Sequence, residues 1–71
     1  MRYLVVVEKG ATSYGAYVPD LPGCVAIGET KDEVLAQIRA AIELHLEGMA
    51  HDGELIPPPA STSELVEVAV A

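Results

Sequence analysis

Acidic side chains are the most numerous groups in this 71-residue sequence that could take part in catalysis, and there are 11 of them. A two-metal nuclease needs several carboxylates close together, because each metal ion requires oxygen ligands. Glu8 ends the first apolar run, whereas Glu43 and Glu47 fall on the polar side of a predicted helix. No aspartates cluster on a predicted central strand, so a metal-dependent nuclease is the weakest of the candidate functions.

The thiol and imidazole groups give no catalytic pattern either. Cys24 is the only cysteine, and neither His45 nor His51 is close to it in sequence. A nucleophilic cysteine needs a neighbouring base and a lowered pKa. His45 falls on the apolar stripe of the predicted helix, where a packed, hydrogen-bonded histidine is the simpler interpretation. We therefore expect no enzyme activity, no catalytic residue, no metal ion and no cofactor.

The charge of the chain argues against direct nucleic-acid binding. Its net charge is −7, and its four basic residues are scattered along the sequence. Nucleic-acid binding depends mainly on Lys and Arg at the phosphates. An acidic surface suits a basic protein partner, although it could equally serve only solubility. A single cysteine and the lack of a secretory signal or a membrane-length apolar stretch predict a cytoplasmic protein.

Three short apolar runs predict strands over residues 2–8, 14–18 and 24–27. The last two are separated by Pro19-Asp20-Leu21-Pro22-Gly23. Prolines fix φ and remove backbone donors, and Gly23 accepts positive φ, so this segment must be a turn. We expect Asp20 to hydrogen-bond within that turn, or else to contact a partner.

A helix is predicted to begin at Lys31 and to end near Ala50. Thr30 and Glu33 have the spacing of a capping box, in which each side chain accepts a hydrogen bond from the other residue's backbone N–H. Gly53 is a candidate C-cap. An apolar stripe on the helix comprises Val34, Leu35, Ile38, Ala41, Ile42, His45, Leu46 and Met49.

The C-terminal part is predicted to be an extended proline-rich connection followed by a last strand over residues 64–70. The order is therefore βββαβ in a single domain, residues 1–71, and the pattern alone predicts an α+β protein. A strand that follows a helical crossover runs parallel to its neighbour, which makes the predicted sheet a mixed one.

One helix covers only one face of such a sheet. Because an uncovered apolar face usually marks an interface, we predict a homo-oligomer, either a dimer or a tetramer, formed through this open face of the sheet or through the edge of the last strand. The alternative is that the proline-rich connection folds over the open face. The predicted oligomer interface comprises Tyr3, Val5, Val7, Val66, Val68 and Val70.

Four motifs occur in order and cover nearly the whole chain: V-P-D-L-P-G-C (18–24), G-E-T-x-x-E (28–33), I-E-L-H-L-E (42–47) and G-x-x-I-P-x-P (53–59). Together they resemble the HicB antitoxin family of bacteria and archaea. The resemblance implies a reduced ribonuclease-H-like fold, a four-stranded mixed sheet with one helix on one face and the last strand beside the first. It also implies a non-catalytic protein that neutralises a small basic HicA-type mRNA-cleaving toxin by covering its RNA-binding surface and catalytic histidine.

Candidate contacts with a partner are Asp20, Leu21, Glu29 and Leu44. Many HicB proteins carry a C-terminal DNA-binding module, and the sequence leaves no room for one after the last predicted strand. DNA binding is therefore not expected. The alternative function is that of an orphan HicB-like oligomeric domain, a protein- or ligand-binding adaptor without a toxin partner.

Overall fold

A computed structural model describes residues 1–70 and contains three strands and one helix. The strands are β1 (Val6–Lys9), β2 (Tyr14–Tyr17) and β3 (Val25–Gly28), and the helix is α1 (Lys31–His51). The strands form one antiparallel sheet in the order β1-β2-β3. The α+β class is confirmed. Ala71, which belongs to the predicted single domain, lies outside the described residues.

Strand β1 is shorter than predicted because β2 ends before it could pair with residues 2–5. Val6 lies opposite Tyr17, so Val5 would need Val18 as its partner. Val18 is instead engaged in the following turn, where its N–H donates to the Cys24 carbonyl and its carbonyl accepts from Leu21. Residues 2–5 therefore continue the chain without a ladder partner.

The turn between β2 and β3 supplies part of the hydrophobic core. Gly23 adopts a φ of 84°, which the sequence anticipated from its glycine. Leu21, at the middle of the turn, is 0% exposed and packs beneath the sheet with residues from the strands and the helix. The buried core consists of Ala16, Val18, Leu21, Cys24, Val34 and Ile38.

Both ends of α1 are closed by local hydrogen bonds. Thr30 Oγ1 accepts from the Glu33 N–H at 3.0 Å, as the capping box predicts. The Glu33 carboxylate accepts from Glu29 N–H at 3.1 Å rather than from Thr30, so the reciprocal half of the box is shifted by one residue. At the other end Gly53 has a φ of 72°, and Glu54 N–H donates to the Met49 carbonyl at 2.9 Å.

After α1 the chain contains no further helix or strand within the described residues. The Tyr3 hydroxyl donates to the Pro57 carbonyl, which holds the proline-rich connection beside the N-terminal segment. The predicted last strand, residues 64–70, does not join the sheet. Its apolar side chains are open to solvent, with Leu65 104% and Val68 71% exposed. A fourth strand in this sheet is therefore not shown, and it stays a prediction.

Candidate partner-binding surfaces

The face of the sheet opposite α1 is apolar and uncovered. Val6 pairs with Tyr17, and Tyr17 pairs with Val25, so these three side chains share a face. Tyr17 is 41% exposed, Val25 64% and Ile27 69%. We call the surface formed by Val6, Tyr17, Val25 and Ile27 the open sheet face.

The sheet has an uncovered apolar face, and the predicted oligomer-interface residues Tyr3, Val5 and Val7 do not form it. That they take part in an oligomer interface stays a prediction. Tyr3, Val5 and Val7 are half-buried and pack against the core on the helix side. Residues of alternate parity form the uncovered side, since side chains alternate across a strand. The proline-rich connection does not cover this face, so that alternative is wrong.

Two carboxylates border the open sheet face at one end. Glu8 follows Val6 by two residues on β1, which places it on the same side. Glu29 lies just after the end of β3. Both are exposed, and Lys9 borders the hollow above the same strands. The surface is thus an apolar centre with charged side chains at its edge.

A second apolar surface lies between the N-terminal segment, residues 1–5, and α1. Because α1 packs on β3 and β2, it leaves a groove of about 460 Å³ beside this segment. Arg39 and Glu43, which form an exposed ion pair at 3.5 Å, border the groove. The apolar lining comprises Met1, Tyr3, Val5, Leu35, Ile38, Ile42 and Leu46. We call this surface the N-terminal groove.

Asp20 connects the turn between β2 and β3 to the C-terminal part of the chain by hydrogen bonds. Its Oδ2 accepts from the backbone N–H groups of Ala60 and Ser61 at 2.9 and 3.0 Å, and its Oδ1 accepts from the Ser61 hydroxyl at 2.8 Å. The predicted hydrogen bonds within its own turn are therefore replaced by bonds to residues 40 and 41 positions away. The Ser61 and Ala60 backbone donors hold the pKa of the Asp20 carboxyl below its usual value.

Substituting Asp20→Asn should loosen this anchor in a pH-dependent way. Because the pKa of Asp20 is lowered, the ionised carboxylate stabilises the fold at pH values above the ordinary pKa of 3.8. This contribution is lost as the pH falls through the lowered pKa. We expect the wild type to melt at a higher temperature than Asp20→Asn at pH 7. The difference should narrow once the pH falls below 3.8. Thermal unfolding measured at several pH values checks this, and a constant difference would contradict it.

The other candidate partner contacts differ in exposure. Leu44 is 71% exposed on α1, and Glu29 is also exposed. Leu21 is fully buried, so the expectation that it is an exposed turn residue is wrong. The turn folds Leu21 inward because its backbone bonds to Val18 and Cys24 close a tight loop over the core.

The structure shows no catalytic arrangement among the groups considered from the sequence. Cys24 is buried, and burial raises the pKa of its thiol, the opposite of what a nucleophile needs. Among residues 1–70, no three His, Cys, Asp or Glu side chains are grouped so that they could hold a metal ion. Within the same residues, α1 lacks the apolar length that a bilayer crossing requires.

Comparison with known proteins gives the family. A family model described as "HicB_like antitoxin of bacterial toxin-antitoxin system" matches residues 3–69. The chain belongs to the HicB-like antitoxin family. The match includes the turn, the capped helix and the C-terminal segment, so this membership rests on nearly the whole chain.

Three relatives illustrate the range of this HicB-like family. The chain is 33% identical over 69 residues to Antitoxin HicB 2 of Photorhabdus laumondii, covering 96% of this chain and 50% of the relative. It is 40% identical over 58 residues to a UPF0150 protein of Thermoplasma acidophilum, covering 80% and 84%. It is 40% identical over 57 residues to an uncharacterized 14.9 kDa protein of Haemophilus phage HP1, covering 80% and 43%. The chain thus spans half or less of two of these proteins and most of the third.

Proposed function

We propose that this chain is a non-catalytic antitoxin domain that binds a small basic HicA-type toxin and covers the toxin's RNA-binding and catalytic surface. The observation that carries the proposal is the family match over residues 3–69. A toxin that cleaves mRNA acts in the cytoplasm, so the antitoxin would act there as well.

The charge of the chain supports this partner chemistry. Eleven acidic residues against four basic ones give a net charge of −7, which attracts a basic protein and speeds encounter. Inhibition by covering a surface requires shape and charge complementarity and no reactive group on the inhibitor.

We assign toxin binding to the open sheet face. Its side chains at Tyr17, Val25 and Ile27 are 41–69% exposed and adjacent, and a contiguous exposed apolar patch often marks an interaction site. Glu8 and Glu29 lie at its edge, where a basic partner could pair with them. An apolar centre with a polar rim is the common anatomy of a protein interface.

The test is the substitution Ile27→Lys, which puts a positive charge on the open sheet face. We expect the affinity for a HicA-type toxin from the same genome to fall about 30-fold or more, corresponding to the loss of roughly 2 kcal/mol at a buried interface residue. Titration calorimetry measures the affinity, and rescue of growth during toxin co-expression measures neutralisation.

Leu44→Lys on α1 is the matched control. Leu44 is 71% exposed and Ile27 69%, so both substitutions replace a similarly accessible apolar side chain by the same charged one. If Leu44→Lys abolished binding and Ile27→Lys did not, the toxin-binding site would lie on the surface of α1 instead of the open sheet face. A wild-type chain that neither binds nor neutralises any HicA-type toxin of its host would overturn the antitoxin role and leave the orphan adaptor.

A further inference from the structure

We propose that the open sheet face contains a binding site for a single arginine side chain of the basic partner, in the hollow above Gly15. This site deepens the proposed function and rests on it, because the partner that would supply the arginine is the toxin. The guanidinium group would lie between the Glu8 carboxylate and the aromatic ring of Tyr17, both of which line the hollow.

Gly15 lies at the centre of the sheet, and the fold itself gives no reason for a glycine there. It is on the middle strand, opposite Glu8 on β1 and Ile27 on β3, one residue to one residue, so there is no bulge at this position. Its φ is not positive, since the positive values among the described glycines are those of Gly23 and Gly53. A Cβ built on Gly15 would meet nothing within 4 Å, so crowding does not exclude a side chain either.

A glycine inside a strand often marks a place where a ligand or another chain approaches the backbone closely. It weakens the strand, because it has more conformational freedom in the unfolded chain and no side chain to pack. At Gly15 the result is a gap in the open sheet face. The gap is part of a hollow of about 470 Å³, and the side chains of Glu8, Tyr17 and Ile27 surround it.

The Glu8 carboxylate supplies the charge of this hollow. Glu8 is exposed, and no ion pair within residues 1–70 involves it. Lys9 also lines the hollow, but it has the alternate position on β1, so its side chain belongs to the opposite side of the sheet. The side of the hollow that faces a partner therefore carries a negative charge beside an apolar floor.

A guanidinium group fits these walls better than other cations do. Glu8 and Tyr17 are diagonal neighbours across β1 and β2, about 7–8 Å apart, so a planar group above the gap can reach both. Its N–H groups can donate two parallel hydrogen bonds to the carboxylate while its flat face stacks on the ring. Ile27 would cover the methylene stem. A lysine ammonium forms neither the bidentate pair nor the stacked contact.

The first test fills the hollow. Gly15→Leu puts a side chain into the gap, and Gly48→Leu on α1 is the matched control, because a Cβ at either glycine meets nothing within 4 Å. We expect the toxin affinity of Gly15→Leu to fall about 10-fold or more and that of Gly48→Leu to stay at the wild-type value. Thermal unfolding should show that both variants are at least as stable as the wild type.

The second test probes the charge without any toxin. A capped glycyl-arginyl-glycine peptide is titrated into the full chain, and the backbone amide signals are followed by NMR. The arginine peptide should shift the signals of Glu8, Gly15 and Tyr17. A peptide with citrulline, which has nearly the same shape and no charge, should shift them far less. Glu8→Gln should remove the response to arginine, whereas Glu47→Gln, at an exposed carboxylate on α1, should keep it.

Equal shifts with the two peptides, or shifts confined to other surfaces, would overturn the arginine site. Wild-type toxin affinity in Gly15→Leu would overturn it as well. A wild-type chain that binds the arginine peptide above Gly15 but no toxin of its host would overturn the antitoxin role and leave the site in place. The two failures are therefore distinguishable.

Discussion

Replacing Leu21 by alanine should lower the free energy of unfolding by about 2–5 kcal/mol. Leu21 is 0% exposed and lies in the turn between β2 and β3, where it touches the buried core. Truncation removes apolar contacts and leaves a cavity that the tight turn cannot close. A domain of 71 residues has a total stability of about 4–11 kcal/mol, so this one change should remove a large part of it.

Urea unfolding at a fixed protein concentration measures the Leu21→Ala effect, and the slope against urea should stay unchanged. Leu44→Ala is the matched control, because Leu44 is 71% exposed and the same atoms are removed. Its effect should stay within about 0.5 kcal/mol. Equal losses for the two variants would show that Leu21 does not occupy the buried position described above.

Replacing Gly28 by alanine should destabilise the fold by about 1–3 kcal/mol through overcrowding. A Cβ at Gly28 would lie 2.8 Å from the Val34 backbone nitrogen and 3.0 Å from the Val34 Cα. These are backbone atoms of the first turn of α1, which cannot move aside as a side-chain tip could. Either β3 or the start of α1 would have to shift, and the packing of Val34 in the core would be disturbed.

Gly15→Ala provides the comparison for Gly28→Ala, since Gly15 also lies in a strand and a Cβ there meets nothing within 4 Å. Thermal and urea unfolding of the two variants should differ clearly, with Gly15→Ala close to wild type. If Gly28→Ala were equally stable, the close approach of β3 to α1 would be wrong. The sequence alone left Gly28 as either a bulge or a strand end, and the structure gives the reason for glycine as the proximity of α1.

Asp20 shows how distant parts of the chain depend on each other. Its carboxylate anchors Ala60 and Ser61, which precede the exposed C-terminal segment, residues 64–70. Asp20→Asn is therefore expected to free this segment while the sheet and α1 keep their structure.

Structural features that depend on interactions between residues close in sequence could be predicted from the sequence. The start of α1 at Thr30, its end near Gly53 and the turn at Gly23 follow from hydrogen bonds and φ preferences within one or two turns of chain. The four motifs also led to the HicB-like antitoxin family, which the family match confirms. The residues that form the helix caps and the turn are neighbours in the sequence as well as in the fold, and this is why these features could be recognised.

Tertiary structure decided the features that depend on which surfaces meet. Alternation along β1 gives two faces, but only the packing of α1 on β2 and β3 shows that Tyr3 and Val5 lie on the helix side. The burial of Leu21 and the bond from Asp20 to Ser61 join segments whose spacing carries no local signal. The C-terminal segment has the sequence of a strand, yet a strand needs a partner edge, and sequence periodicity cannot specify which edge that is.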